Sequence, residues 1–271
     1  MKLILIPPYK GMNWTPTQGQ YMLVELVANM EKRGQLEGIE IDIDEGWPYP
    51  TEIDPVNRDE QFLIHISVGV VRKVREYSEM GKYDAIIQTG DLDPGFFGSR
   101  VVAKIPFISL AHSAFHVASL IGERFTFFAV TDPCAMIVRR FAQNCGFSHK
   151  LVSVRYPSFS STYMASFVKK YKKEERSKVP EVEKLVATLT TQCIVAIEED
   201  SVDTIIFGCP AVQVYIDEVR QELDKKGFSE VPIINGLYAA VEMAKALVNM
   251  KLTQVPRAYP SDALKVRPAF R

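Results

Sequence analysis

Short apolar runs and longer amphipathic stretches alternate along the whole chain. The apolar runs predict strands at residues 3–7, 39–44, 85–88, 106–110, 125–130, 151–155, 204–208 and 231–234. Helical spacing of the apolar positions predicts helices at 21–32, 61–80, 112–120, 134–145, 163–172, 181–199, 212–225 and 237–250. Apolar strands that alternate with helices are typical of parallel sheets covered on both faces. The pattern therefore predicts an α/β fold with a ligand site outside the carboxyl ends of the strands.

Two segments of the first half have counterparts, in the same order, in the second half. YDAIIQTG (83–90) resembles VDTIIFGC (202–209), and IPFISLAHSAFHVA (105–118) resembles VPIINGLYAAVEMA (231–244). The two members of each pair are separated by nearly the same number of residues. A duplication explains this agreement better than a strand-helix period that the two halves merely share. We therefore predict an internal duplication.

The duplication predicts two similar α/β lobes, each a parallel sheet flanked by helices, related by a pseudo-two-fold axis with the site between them. The first lobe is predicted to comprise residues 1–116 plus 235–271, and the second residues 117–234. In this arrangement Gly90 and Cys209 lie on opposite walls of one cleft.

Composition narrows the class of protein. The 271 residues are 47% apolar and carry a net charge of −1, so nothing favours nucleic acid or an anionic membrane as a partner. No apolar run approaches the roughly 20 residues of a membrane span, and the N-terminal apolar segment is too short for a signal peptide. We therefore expect a cytoplasmic protein that acts on a small molecule, and a homo-oligomer is compatible with this pattern. The proline-containing stretch 253–271 is expected to be an irregular tail on the surface or on a neighbouring subunit.

The four cysteines differ in their predicted setting. They include no CxxC pair, which argues against a zinc site or a disulfide framework. Cys134, Cys145 and Cys193 lie on predicted helices, where a buried and inert thiol is the usual outcome. Cys209 instead ends a predicted strand and opens a helix, whose first-turn amides favour an anion. With Pro210 suited to the first helical position, Cys209 is the predicted proton-exchanging thiol.

Four segments together resemble the aspartate/glutamate/hydantoin racemase superfamily. They are DAIIQTGDLDPG (84–95), IPFISLAHSAFHVASLIGERF (105–125), DTIIFGCPAV (203–212) and VPIINGLYAAVEMAKALV (231–248). The resemblance implies chemistry without a cofactor, in which two cysteines on opposite lobes move a proton at a carbon next to a carboxylate or an amide carbonyl. Cys209 matches the second of these cysteines.

The position of the first cysteine falls on Gly90, which supplies no proton relay. Within the superfamily, the arylmalonate decarboxylase type is similar in having glycine on one wall and one cysteine on the other. This implies a decarboxylase or lyase in which Cys209 protonates a carbanion. The missing thiol therefore favours a decarboxylase or lyase over a racemase. Two departures limit this transfer: Asp91 follows the glycine in place of a small hydroxyl residue, and Pro210 has no amide N–H for an oxyanion. Oxyanion donors would then come from Thr89, the amides of Gly90 and Asp91, or Ala211 and Val212.

Three alternatives stay open. Asp91 could replace the missing thiol as second base, which would make the protein a racemase or isomerase of an amino acid or a hydantoin-like compound. Asp91 could instead cap the helical turn at residues 93–97. The third alternative is a two-lobed ligand-binding module that shares the cleft and catalyses nothing.

Further substrate-binding candidates follow other strands. Tyr9 and Lys10 come after the first strand, where the resemblance implies substrate contacts, and Lys10 could pair with a carboxylate or lie on the surface. Thr131 and Asp132 occupy the loop that the superfamily uses for carboxylate binding, although Asp132 could simply cap a helix.

Some features near the predicted cleft allow a structural or a functional interpretation. His112 and His116 are four residues apart on a helix, but without a third ligand we expect no metal. His112 and Ser113 at a helix start could instead hydrogen-bond substrate. The loop 45–55, with Trp47 and Tyr49, could roof the cleft or simply pack. The charged run 169–176 is predicted to be a solvated helix end.

Overall fold

The computed structural model describes residues 1–10, 21–48, 59–157 and 159–260. The strands are Lys2–Ile6 (β1), Glu40–Ile43 (β2), Ala85–Gln88 (β3), Phe107–Ser109 (β4), Phe125–Phe128 (β5), Leu151–Arg155 (β6), Thr204–Phe207 (β7) and Ile233–Asn235 (β8). The helices are Tyr21–Lys32 (α1), Glu60–Glu79 (α2), Phe96–Val102 (α3), Leu110–Ile121 (α4), Asp132–Asn144 (α5), Ser161–Lys170 (α6), Lys173–Arg176 (α7), Pro180–Glu198 (α8), Pro210–Gln213 (α9), Ile216–Lys225 (α10) and Gly236–Asn249 (α11).

The strands form two parallel sheets of four, in the orders β2-β1-β3-β4 and β6-β5-β7-β8. The orders are the same when β1 is matched to β5, β3 to β7 and β4 to β8. The internal sequence similarity predicts two of these pairs, β3 with β7 and β4 with β8. The predicted two-lobed α/β fold is therefore confirmed.

The two lobes exchange a helix at their boundary. Helix α4 follows the first sheet but packs on β7 and β8 of the second, whereas α11 follows the second sheet and packs on β3 and β4 of the first. The two helices also pack against each other. The predicted division of the chain at residues 116 and 235 stays a prediction, because the lobes share this helical layer.

Apolar packing joins the lobes as well. Every residue of β3 and of β7 is buried, and Leu5 of β1 lies in the same hydrophobic cluster as Phe207 of β7. Burial of apolar surface at about 25 cal/mol per Å² makes such a shared core the main stabilising contribution. Strands β1, β3 and β7 are therefore anchored in one apolar core, and their carboxyl ends lie at the boundary between the lobes.

The predicted helix 212–225 is interrupted in the structure. Helix α9 ends at Gln213 and α10 begins at Ile216, with Tyr215 outside helical geometry at φ −107° and ψ 9°. The fully buried Tyr215 donates a hydrogen bond from its hydroxyl to the Met164 carbonyl at 2.7 Å. This tertiary anchor accounts for a break that the sequence pattern does not indicate.

The segment after α11 lies along the edge of the first sheet. The Gln254 side chain accepts a hydrogen bond from the Phe107 amide at 3.0 Å and donates one to the Phe107 carbonyl at 2.8 Å. It thereby satisfies backbone groups of an edge strand. The Arg100 guanidinium lies 4.2 Å from the Tyr259 ring centroid. The predicted irregular tail is therefore seen on the protein surface as far as residue 260, and residues 261–271 lie outside the described part.

In the described part of the chain, no helix has both the length and the apolar character that crossing a bilayer requires. The longest of the described helices, α2, begins with Glu60 and carries five further charged residues between Arg72 and Glu79.

Candidate active site

A pocket opens between the two lobes where β1, β3 and β7 end. Its described lining consists of Pro7, Pro8, Tyr9, Met22, Leu23, Phe62, Ile66, Thr89, Gly90, Asp91, Leu92, Pro94, Ser161, Cys209 and Pro210. The pocket thus brings together six of the predicted site residues: Tyr9, Thr89, Gly90, Asp91, Cys209 and Pro210.

Cys209 is held at the end of β7 by local hydrogen bonds. It is the N-cap of α9, and its carbonyl accepts hydrogen bonds from the amides of Val212 and Gln213, both at 3.0 Å. The buried Gln213 amide group donates to the carbonyls of Phe207 and Gly208 at 2.9 and 2.6 Å. The residue is only 5% exposed, and it lines the pocket.

The opposite wall is formed by Thr89, Gly90 and Asp91, directly after β3. A Cβ on Gly90 would lie 2.6 Å from Gln88 Nε2 and 3.1 Å from both Pro8 Cγ and Pro94 Cδ. This wall therefore has no room for a side chain at position 90 unless its neighbours shift. Asp91 is 5% exposed and presents the only carboxylate among the described lining residues.

Two of the predicted oxyanion donors are already engaged within the protein. The Thr89 amide donates to the Ile6 carbonyl at 3.0 Å, and the Val212 amide donates to the Cys209 carbonyl. Ala211 is fully buried in α9 and lies outside the described lining of the pocket.

One carboxylate of this loop, Asp93, caps a helix. Helix α3 begins after Gly95 and receives no side-chain cap. Asp93 instead caps α4, because it accepts hydrogen bonds from Ser109 Oγ at 2.5 Å and from the amides of Ala111 and His112 at 3.1 and 2.9 Å. Asp93 itself adopts the left-handed conformation, with φ 45°. Sequence reasoning missed this role because its partners lie 16 to 19 residues further along the chain.

Burial raises the pKa of Asp93 to about 7, although the hydrogen bonds from Ser109, His112 and Ala111 oppose this rise. Because the folded protein holds this proton more tightly than the unfolded chain, the stability contributed by Asp93 is fully present below about pH 4. It is lost as the pH rises through about 7.

We expect the free energy of unfolding of wild type, relative to that of Asp93→Asn, to fall by on the order of 4 kcal/mol between about pH 4 and pH 8. Asparagine has no proton to lose in this range and tolerates the left-handed conformation. Urea titrations of both proteins at several pH values measure the difference. A difference that stays constant with pH would contradict the assignment.

An apolar wall completes the pocket. Met22 and Leu23 come from α1, and Phe62 and Ile66 come from α2. Tyr9 packs edge-on against Phe62, with ring centroids 5.5 Å apart. Sequence reasoning missed these residues because an apolar position on an amphipathic helix looks the same whether it faces a core or a pocket.

Sequence reasoning also missed one polar residue of the described lining, Ser161. It is the first residue of α6 and 8% exposed. The neighbouring Ser160 is the N-cap, whose side chain accepts a hydrogen bond from the Tyr163 amide at 3.1 Å. The only sequence signal was a run of serines before a helix, which usually indicates capping alone.

Lys10 lies outside the described lining of the pocket. Its ammonium group pairs with Glu45, and its amide donates to the Trp47 carbonyl at 2.6 Å. The side chain is therefore directed to the neighbouring loop.

Thr131 and Asp132 also lie outside this lining. The Thr131 hydroxyl contacts Cys134 Sγ at 3.1 Å, and Thr131 is the N-cap of α5 without a side-chain cap bond. The charge of Asp132, and a hydrogen bond with it, raise the pKa of the Tyr156 hydroxyl. Asp132 thus has a partner on its own lobe.

His112, His116 and Ser113 belong to the packing of α4. The two imidazoles meet with their Nε2 atoms 3.3 Å apart, and the His112 ring lies 4.8 Å from the Phe96 ring centroid. Burial, followed by the charges of His116 and Arg100, lowers the pKa of His112 to about 3. Ser113 is buried and, like His112, is not among the described lining residues. No group of three potential metal ligands occurs within the described ranges.

The described part of the loop 45–55 packs on α2. The Trp47 ring occupies the space next to Gly69, where a Cβ would come within 2.3 Å of it, and Arg72 stacks 5.3 Å from its centroid. Residues 49–55 of this loop, including Tyr49, lie outside the described residues.

Known proteins resemble this chain in sequence and in fold. A hydantoin racemase from Pseudomonas sp. (strain NS671) is 24% identical over 200 residues, which cover 73% of this chain and 72% of that protein. The structure of allantoin racemase from Klebsiella pneumoniae superposes with a TM-score of 0.70 at 22% identity, covering 98% of this chain and 99% of that one. A crystal structure of arylmalonate decarboxylase is more distant, with a TM-score of 0.51 at 15% identity over 91% of this chain and 92% of that one. The two structures show a likeness of fold.

The sequence pattern of one family extends over most of the chain. The Asp/Glu/Hydantoin racemase family matches residues 11–244. The resemblance noted from the sequence segments is confirmed by this match, and so is the expectation of an enzyme from this superfamily. The chain therefore belongs to the Asp/Glu/Hydantoin racemase family.

Proposed function

We propose that this protein is a cofactor-independent racemase of an uncharged, hydantoin-like cyclic amide with an apolar substituent at its stereocentre. The observation that carries the proposal is the composition of the pocket. It presents Cys209 and Asp91 among mostly apolar side chains, and its described lining contains no lysine, arginine or histidine.

The charge balance of the pocket favours a neutral substrate. A substrate carboxylate would enter a confined site that already presents Asp91, with no described cation to compensate its loss of hydration. A hydantoin ring avoids this cost because its amide groups are uncharged. The apolar substituent would contact the wall formed by Met22, Phe62 and Ile66.

The proposed chemistry uses one acid and one base on opposite walls. The ring C–H next to the carbonyl is acidic because the resulting carbanion delocalises onto the carbonyl oxygen. The Asp91 carboxylate accepts this proton from one face, and the Cys209 thiol donates a proton to the other face. The enzyme is left with a protonated Asp91 and a Cys209 thiolate, and the opposite enantiomer is converted by the same two groups in reversed roles.

The experiment follows one enantiomer of 5-benzylhydantoin in deuterated buffer, corrected for the reaction without enzyme. We expect optical rotation to be lost while solvent deuterium appears at the ring carbon, and we expect Asp91→Asn to lose this activity. The matched control is Asp224→Asn, which removes an exposed carboxylate paired with Arg220 on α10. Unlabelled substrate with unchanged rotation would overturn the proposal.

A decarboxylase is the second candidate, and the confined space at Gly90 favours it. Glycine at position 90 supplies no thiol, and a side chain there would require Gln88 to shift. Cys209 would then protonate a carbanion from one side, as the resemblance to the arylmalonate decarboxylase type implies. The same assay separates the candidates when it is repeated with an arylmalonate. A decarboxylase releases carbon dioxide and places deuterium in the product alone.

A further inference from the structure

Arg176 is a fully buried cation next to the site. It belongs to the short helix α7 and has no exposed surface, although the charged run 169–176 is predicted from sequence to be solvated. That prediction is wrong for Arg176. Because removing a guanidinium from water costs several kcal/mol, such a group requires a well-placed anion.

The anion comes from the other lobe. Arg176 Nη1 and Nη2 donate to the two carboxylate oxygens of Glu25 at 2.7 and 2.6 Å. Nη2 also lies 3.3 Å from the carbonyl of Val214, and the guanidinium lies 5.3 Å from the Tyr215 ring centroid. One side chain thus connects α1 of the first lobe with the end of α9, the helix that Cys209 opens.

Glu25 is part of the helix that forms the pocket wall. Met22 and Leu23 line the pocket from the turn before it, and α1 packs on α6 and α9 of the second lobe. A second ion pair fixes the far end of α1, where Arg33 Nη2 contacts both Asp217 oxygens at 2.7 and 2.8 Å. Helix α1 follows β1 in sequence, but these ion pairs attach it to the lobe that carries Cys209.

We propose that the Glu25–Arg176 pair is a positioning latch, which seats α1 against the second lobe and thereby sets the width of the pocket between Met22 and Cys209. The proposal rests on the proposed function only in taking this pocket as the reaction site. Bidentate geometry suits this role because it fixes orientation as well as distance.

A second acidic side chain lies near the latch. Glu218 lies on α10 of the same lobe as Arg176, and its Oε2 atom is buried without a hydrogen bond among the described residues. Burial raises the pKa of Glu218, while the nearby charge of Arg176 acts to lower it. When Glu25 moves away, Arg176 keeps an acidic neighbour, so opening does not leave a buried cation alone.

The test measures access to Cys209 without any substrate. Purified Glu25→Gln and wild type are treated with N-ethylmaleimide, and peptide mass spectrometry follows alkylation of each cysteine over time. We expect the Cys209 rate to rise about tenfold in Glu25→Gln. The matched control is Glu242→Gln, which breaks an exposed ion pair with Lys245 on α11 and is expected to leave the rate unchanged.

A double variant distinguishes a pair that positions α1 from a pair that only stabilises the fold. Replacing a buried ion pair by apolar residues is often neutral for stability, so Glu25→Leu/Arg176→Met is expected to fold even if Glu25→Gln does not. Without the bidentate bonds, its Cys209 rate should still rise. A rise of threefold or more over wild type in the folded variants supports the latch, and any smaller change overturns it.

The outcome is independent of the activity assay. If the labelling result holds but no racemisation is found, the proposed function fails and the latch remains. If racemisation is found with unchanged labelling, the latch alone fails. For an active enzyme, we expect opening of the latch to raise KM for the hydantoin more than it lowers kcat, because the altered wall contacts the substituent rather than the reacting carbon.

Discussion

Racemisation of 5-benzylhydantoin by Cys209→Ala is expected to fall about 10³- to 10⁴-fold below that of wild type. The methyl group of alanine cannot supply a proton to the ring carbon, and Cys209 is the only thiol among the described residues that line the pocket. Circular dichroism and thermal unfolding should show a folded variant, because truncating this partly pocket-facing side chain creates no closed cavity. The comparison of kcat/KM with that of wild type measures the effect.

Cys145→Ala provides the matched control. Cys145 lies at the end of α5, is half-buried, and is not among the described lining residues. Burial raises the pKa of its thiol to about 11, so it is a poor proton relay near neutral pH. We expect Cys145→Ala to keep the activity of wild type. A Cys209→Ala variant that retains more than a tenth of the activity would contradict the assignment of Cys209.

Gly208→Ala is expected to lower the free energy of unfolding by at least about 3 kcal/mol, at the upper end of what overpacking costs. An added Cβ would come within 1.8 Å of Phe127 Cζ and within 2.7 Å of two further atoms of the same ring. Phe127 is fully buried in the adjacent strand β5, so the ring cannot move aside. Urea unfolding of both proteins measures the difference.

Two further variants test that space is the cause. Gly34→Ala adds a Cβ where nothing lies within 4 Å, at φ 70°, and is expected to cost only about 1 kcal/mol for backbone strain. Phe127→Leu shortens the ring that meets the new Cβ, so the double variant Gly208→Ala/Phe127→Leu should recover part of the loss. A Gly208→Ala protein that loses less than about 1 kcal/mol would show that the strands separate more easily than the packing indicates.

The architecture could be predicted because its cause is local and repeated. Apolar runs such as residues 85–88 and 204–207 are buried on both faces, as the absence of a polar alternation indicates. The internal similarity then predicts two sheets of the same construction, and the duplicated segments do occupy equivalent places in them. Helix ends were less predictable. The break at Tyr215 depends on a hydrogen bond to a different helix.

The site could be predicted in part for the same reason. Cys209, Asp91 and Tyr9 each follow a strand within about three residues, and the carboxyl ends of parallel strands lie at one edge of a sheet. A position near a strand end or a helix start did not bring every predicted residue into the described lining of the pocket. Lys10, for example, follows β1 as closely as Tyr9 does, but its ion pair with Glu45 directs it elsewhere.

The sequence by itself determined the elements, the duplication and the family, because periodicity and short motifs are properties of neighbouring residues. Only the tertiary structure decided which helix faces line the pocket, why position 90 has no room for a side chain, and that Asp93 caps α4. It also decided that Arg176 is a buried partner of Glu25 rather than a solvated cation. The physical reason is that burial, pairing and free space are set by residues distant along the chain, which a local pattern does not contain.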